Sequence, residues 1–366
     1  MDKEPVRFGV IGVGGMGAAH ANYIAEMTET HLVAVADPEP ERTGRVARET
    51  KSKAFSDYRQ LIDESGIEAI VVSAPHPFHR EMTEYAAQRG IHVLCEKPIA
   101  VSVAAADSMI ATCRANDVLL GIVFQQRTEP SRRAMKRLIE EGTLGEIYRV
   151  SMTVPYYRPQ AYFESAPWRG TWKGEGGGIL MNQAAHALDQ VAWMGGLPQR
   201  VQAMTMTRLH EVEVENTALA MLDYGGGKAG WFYTSAAELP GAERFEVSGD
   251  CGVLVWEEGR LRHMEARQPM SQHLRTAPGM FDDIETTWRE IEVETQPDSS
   301  RYRAILGAFA RAVRCDDASL MFASGEDGLR SLELANAILL SGRCRETVEL
   351  PLDRDRYERL LQTLQS

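Results

Sequence analysis

Along the first third of the chain, apolar positions come in short, nearly continuous runs. Between the runs lie stretches in which apolar residues recur every three or four positions. The runs at 8–13, 31–36, 69–73, 92–95 and 119–124 are rich in Val, Ile and Ala and read as strands; segments 16–27, 42–50, 79–89 and 103–116 read as helices. Strands apolar on both faces are those of a parallel sheet covered on both sides. Strict strand–helix alternation implies right-handed crossovers, hence a doubly wound domain spanning residues 1–126.

Beyond that point the rhythm changes. A helix at 131–141 and a turn at 142–145 lead to a strand at 147–154. Later segments, 200–209, 217–224, 227–235, 244–249 and 252–257, read as successive strands joined by short glycine-containing turns, with Asp-Tyr-Gly-Gly-Gly-Lys at 223–228 as a hairpin signal. Adjacent strands of this kind build a large, mostly antiparallel sheet. Segment 268–300, poor in apolar residues, reads as a surface excursion, and helices return at 301–314 and 325–341. The fold expected is α/β: a doubly wound parallel sheet, then a second α/β domain over residues 127–366 carrying an open, mostly antiparallel sheet.

Composition narrows the class. With 44% hydrophobic and 25% charged residues among 366, the chain is ordinary globular protein. Asp and Glu outnumber Lys and Arg by 52 to 40, a formal net charge of −12. That balance opposes binding to nucleic acid or to an anionic membrane. No run approaches the roughly 18 apolar residues of a membrane helix, and the start, Met-Asp-Lys-Glu-Pro, has no apolar leader pattern. Five scattered cysteines without a Cys-x-x-Cys pair read as reduced thiols of a cytoplasmic protein. The histidines outside the motifs below show no metal-ligand spacing, so no metal is expected.

The first chemical signal is Gly12-Val-Gly14-Gly15-Met16-Gly17, a G-x-G-x-x-G between a strand and a helix. Gly12 would allow the tight turn, Gly14 the approach of a pyrophosphate, and Gly17 close helix–strand packing. The phosphates would face free amides at the helix N-terminus. Asp37, 20 residues after Gly17, ends the second strand, where a carboxylate accepts from ribose hydroxyls and repels a 2′-phosphate. NAD is therefore expected over NADP, although Arg42 lies near enough to weaken strict selectivity.

Two further motifs carry proton chemistry. Glu96-Lys97-Pro98 follows the fourth strand at its carboxyl end, where ligands of open parallel sheets bind. A buried lysine there has a lowered pKa and can donate to a substrate oxygen; the plain alternative is a solvated loop residue. Pro98 makes the Lys97–Pro98 bond a candidate cis peptide. The second motif, Gly176-Gly-Gly-Ile-Leu-Met-Asn182-Gln-Ala-Ala-His186-Ala-Leu-Asp189, reads as a glycine-led helix. Spacing i, i+4, i+7 would put Asn182, His186 and Asp189 on one stripe. A histidine is the natural base for a hydroxyl proton; the alternative is a core histidine on an Ala/Leu helix.

The glycine fingerprint, Asp37, the stretch Val-Val-Ser-Ala-Pro at 71–75 through His79, Glu96-Lys97-Pro98 and the glycine-led segment with Asn182, His186 and Asp189 together resemble the Gfo/Idh/MocA oxidoreductase family, in order and spacing over the whole chain. The resemblance implies a Rossmann domain followed by an α/β domain whose open sheet serves as an oligomer interface, hence a homo-oligomer. It implies NAD(P)-dependent oxidation of a secondary alcohol on a sugar or cyclitol, with Lys97 and His186 acting together on the reacting hydroxyl. Many polyol dehydrogenases of the family carry Asp where this chain has Asn182. An amide cannot take a proton, so Asn182 can only orient substrate and the proton task falls to His186.

Segment 156–173 precedes the glycine run and carries Tyr156, Arg158, Tyr162, Trp168, Arg169, Trp172 and Lys173. Aromatic faces stack on sugar rings while cations donate to hydroxyls, so this segment reads as the substrate loop; a surface loop with packed aromatics is the alternative. Candidate cofactor contacts are Gly12, Gly14, Gly15, Met16, Gly17, Asp37, Ala74, Pro75, His79, Glu96, Lys97 and Gln125. Candidate substrate contacts are Lys97, Gln126, Arg127, Tyr156, Arg158, Trp168, Arg169, Trp172, Asn182 and His186. The reading is hydride transfer between NAD and a ring carbinol of a sugar, glycoside or cyclitol, with the acidic balance favouring a neutral substrate. Its rivals are redox-assisted glycosidic cleavage and a non-catalytic sugar- or NAD-sensing regulator.

Overall fold

The computed structural model describes residues 4–294 and 297–366. The first three residues, used above in reading the chain start, and residues 295–296 of the expected excursion lie outside them. Six parallel strands, β1 (Val6–Ile11), β2 (Thr30–Ala36), β3 (Lys53–Phe55), β4 (Ala69–Val72), β5 (His92–Cys95) and β6 (Leu120–Ile122), form one sheet in the order β3-β2-β1-β4-β5-β6. Helices α1 (Gly15–Glu26), α2 (Pro40–Thr50), α3 (Tyr58–Glu64), α4 (His79–Ala87) and α5 (Val103–Ala115) make the crossovers. The doubly wound expectation holds. Strand β3, at three residues, and helix α3, at seven, went unread because runs this short show little period.

Helix α6 (Pro130–Glu140) then leads to β7 (Ile147–Pro155), and the short helices α7 (Gln160–Glu164), α8 (Trp172–Glu175) and α9 (Ala185–Gln190) follow. Strands β8 (Arg200–Met206), β9 (Thr217–Gly225), β10 (Lys228–Ser235), β11 (Arg244–Gly249), β12 (Gly252–Glu257) and β13 (Arg260–Ala266) come next. The expected excursion forms a helix, α10 (Met270–Thr276), and a strand, β14 (Thr286–Ile291). The chain closes with α11 (Asp298–Cys315), α12 (Gly325–Cys344), β15 (Val348–Glu349) and α13 (Arg354–Gln365).

Nine strands form the second sheet, β14-β13-β12-β11-β7-β10-β9-β8-β15, in which only β7 and β10 pair in parallel. Period-2 alternation along β9 and β10 sends Ala218, Ala220, Leu222 and Phe232 into the core and leaves Leu219, Met221 and Trp231 on the outer face. Helices α9 and α12 fill the inner side. Late in the chain, α11 returns to the parallel sheet, where Phe309 meets Phe8 at 6.3 Å between ring centroids.

Candidate active site

A cavity of about 1130 Å³ opens at the carboxyl ends of the parallel strands, lined by Gly14, Asp37, Ala74, Lys97, Trp168 and Asn182 among others. Its floor is the start of α1. Gly12 adopts φ +79°, and a Cβ on Gly17 would lie 1.7 Å from the Gly12 carbonyl oxygen, so only glycine lets the helix sit on the strand end. At Gly14 and Gly15 a Cβ would meet nothing within 4 Å, so these backbones face open cavity. The first-turn amides of α1 have no side-chain cap, which leaves donors for an anionic ligand. Asp37 is buried, accepts from the amides of Val13 and Glu39 at 3.0 Å each, and takes Arg42 Nη1 at 3.2 Å on both oxygens. The cavity continues to Tyr58 and Arg59 on α3. The groove and its terminal carboxylate fit a dinucleotide such as NAD.

At the other end Lys97, whose bond to Pro98 is cis, donates from Nζ to the Asn182 carbonyl at 3.0 Å. Burial pushes its ammonium below the usual lysine range, against the pull of Glu96 and Glu175. Glu96 lies 2.7 Å from His20 Nε2 on α1, tying the phosphate-facing helix to the Lys97 turn. Burial raises its carboxyl, but His20 and Lys97 outweigh that and hold it below the usual range. His186 is buried, with Nε2 3.2 Å from Gln125 Nε2 and its ring 6.0 Å from Phe124. Burial, then the charges of Lys97 and Arg132, depress its pKa far below normal, so the ring is a neutral acceptor at physiological pH.

Gly12, Gly14, Gly15, Met16, Gly17, Asp37, Ala74, Pro75, His79, Glu96, Lys97, Trp168, Arg169 and Asn182 all line the cavity. Gln125, Gln126, Tyr156, Arg158 and His186 do not line it. His186 Nδ1, Gln126 Oε1 and the Tyr156 hydroxyl are buried without a protein hydrogen-bond partner. Gln126 follows the Gln125 that contacts His186, and both Tyr156 and His186 feel the charge of Arg132. His79, read as a cofactor contact, spends both ring nitrogens on the carbonyls of Ala74 and Pro98, at 2.8 and 2.9 Å, and clamps those two turns together.

Three expectations are corrected. Arg127 does not reach the cavity: its guanidinium closes on Asp189 at 2.9 and 2.7 Å and on Asp327 at 3.2 Å, with side chains 3% and 0% exposed for the Arg127–Asp189 pair. Trp172 does not line the cavity: it is buried, and its indole donates to the Glu213 carbonyl at 3.1 Å. The glycine-led segment is not a helix with an Asn182–His186–Asp189 stripe, because α9 begins only at Ala185. Glu215 is the reason. It accepts from the amides of Gly178 and Leu180 (2.9 to 3.2 Å) and its backbone oxygen from Ile179, capturing donors a helix would use. A Cβ on Gly178 would lie 1.8 Å from that oxygen.

Glu175 is a site residue the sequence reading missed. Its carboxylate accepts from Asn182 Nδ2 and from the Gly170 amide, while its backbone oxygen meets His76 Nδ1 at 3.1 Å. Burial raises its pKa, opposed by those two bonds and by Arg169 and Lys97. A charged residue directly before three glycines was the available signal.

A family model described as an oxidoreductase family with an NAD-binding Rossmann fold matches residues 6–124, and the Gfo/Idh/MocA C-terminal domain model matches residues 132–255. This chain belongs to the Gfo/Idh/MocA oxidoreductase family. Its first domain is the family's NAD-binding Rossmann fold. Myo-inositol 2-dehydrogenase of Thermotoga maritima is 26% identical over 264 residues, covering 70% of this chain and 76% of that one. The 1,5-anhydro-D-fructose reductase of Ensifer adhaerens is 25% identical over 348 residues, covering 94% and 98%. Among solved structures, the WlbA dehydrogenase of Bordetella pertussis, in complex with NADH and UDP-GlcNAcA, is 28% identical with a TM-score of 0.80, covering 95% of this chain and 100% of that one. Among the described residues no helix is long and apolar enough to cross a membrane.

Proposed function

We propose that this Gfo/Idh/MocA member interconverts a ring secondary alcohol of a carbohydrate or cyclitol with the ketone, using NAD, with Lys97 and His186 handling the proton. The observation carrying the reading is a buried lysine lining the strand-end cavity, with a buried neutral histidine near enough to feel its charge. Bound NAD supplies the hydride acceptor. His186, uncharged, takes the hydroxyl proton as the carbonyl forms. Lys97 donates to the same oxygen and steadies its developing negative charge. Asn182, held by Glu175, orients the substrate and takes no proton. The orphaned polar atoms of Gln126, Tyr156 and His186 suit a ligand rich in hydroxyls.

The named activities of the inositol dehydrogenase and the anhydro-fructose reductase support a ring alcohol–ketone couple. Arg42, paired with Asp37, softens but does not abolish the preference for NAD. The outer face of the nine-stranded sheet, with Met204, Met221 and Trp231 exposed, is proposed as the contact between copies. Five unpaired cysteines fit a reducing, cytoplasmic setting. A panel of sugars, glycosides, inositols and sugar nucleotides, incubated with the protein and NAD, tests the function: at least one should generate NADH, and none doing so in either direction would overturn the reading.

A further inference from the structure

Lys97 and Arg169 line the cavity, and Arg158 lies near enough that its charge, with that of Arg169, depresses the lysine pKa. Arg158 and Arg169 flank the Tyr162 ring, at 5.3 and 4.4 Å from its centroid, and Arg169 also lies 4.4 Å from the Trp168 ring. Tyr162 is pinned in turn, its hydroxyl bonded by Arg169 and by Gln183, the neighbour of Asn182.

Arg158 and Arg169 are half-buried, whereas the two fully buried arginines of this region are neutralised. Arg127 has Asp189 and Asp327, and Arg132 has Glu129 and Glu243. Among the described residues no carboxylate comes within ion-pair distance of Arg158 or Arg169; Arg158 donates only to the Tyr157 carbonyl and Arg169 only to the Tyr162 hydroxyl. The Arg169 Nε is buried with no partner. Nearby carboxylates are committed elsewhere: Glu96 to His20, Glu175 to Gly170 and Asn182, Glu213 to the Trp172 amide. In a chain of net charge −12, two unpaired guanidiniums held beside a third cation cost repulsion and desolvation that an anion would reverse.

Resting on the ring-alcohol reading above, we infer that the substrate carries an anionic group, a carboxylate or a phosphate, held by Arg169 and Arg158. The acidic overall balance pointed to a neutral substrate. At this range, however, local unpaired cations outweigh the average field, because distant surface charges are screened.

Binding to the NADH-loaded protein is measured by calorimetry for glucose and for three anionic relatives: D-glucuronate, glucose 1-phosphate and UDP-glucose. The carboxylate arm and the two phosphate arms distinguish the sources of charge. At least one anionic member should bind about 10- to 100-fold more tightly than glucose. Arg158→Gln and Arg169→Gln should each erase most of that preference, and Arg158→Lys should keep part of it, since a charge and not a shape is lost. Glucose binding as tightly as all three, or a preference surviving in both glutamine variants, overturns the inference. Arginine-dependent binding without NADH production from any alcohol would keep the anion site and remove the redox reading; NADH from neutral sugars without an anionic preference would do the reverse.

Discussion

Lys97 is an ammonium taken out of water and held near two carboxylates, while His186 is an imidazole taken out of water and held near two cations. Both environments favour the neutral ring and a lysine that gives up its proton more readily than usual. Lys97→Met should lower kcat by about 10²- to 10⁴-fold, the range for a group acting on the reacting oxygen, as read by steady-state NADH formation. Glu175 acts through Asn182 as a positioning residue. Glu175→Gln should raise KM more than it lowers kcat, because an amide can still bond one of its two partners; an unchanged KM would contradict that role. That Lys97 faces the cavity was legible in the sequence because it sits in a contiguous motif at a strand end. Glu175 was not, because its importance comes from Gly170, Asn182 and His76, which only the fold brings to it.

At the level of elements, the glycine-led segment shows how one buried side chain redirects a backbone. Glu215 holds the turn at 178–180 open, and burial pushes its carboxyl up to about 7 from the ordinary 4.5. The protonated form is therefore favoured in the fold. As pH rises from about 4.5 to about 7 the unfolded chain releases this proton while the folded one retains it, so this group makes stability fall across that window. Glu215→Gln should flatten the decline in Tm between about pH 5 and pH 7 relative to the unaltered protein; an identical slope would show that Glu215 does not titrate there. The Arg127–Asp189 pair locks the turn preceding α6 to α9. Removing Asp189 leaves Arg127 with Asp327 as its remaining carboxylate partner, so Asp189→Asn should cost about 1–3 kcal/mol in denaturant unfolding. That pair was misread because sequence order put Arg127 at a strand end, where ligands bind, and nothing local showed that Asp189 would face it.

For the whole molecule, the two sheets were legible from the switch between continuous and alternating apolar runs. The return of α11 to the first sheet was not, since local periodicity carries no address for a helix. The outer face of the second sheet places Trp231 opposite Met221 in register. Trp231→Glu with Met221→Glu should reduce the mass measured by light scattering to that of a monomer without lowering Tm by more than a few degrees; an unchanged mass would place the oligomer contact elsewhere. The proposed reaction joins the dinucleotide groove to Lys97, which lines it, and to His186. The most direct test is the turnover of purified His186→Ala protein on whichever substrate the panel identifies, with NADH affinity measured in parallel by fluorescence titration. A fall in kcat of about 10²- to 10⁴-fold with cofactor affinity intact is the expected result; near-normal turnover with intact cofactor binding would contradict the assignment of His186 as the base.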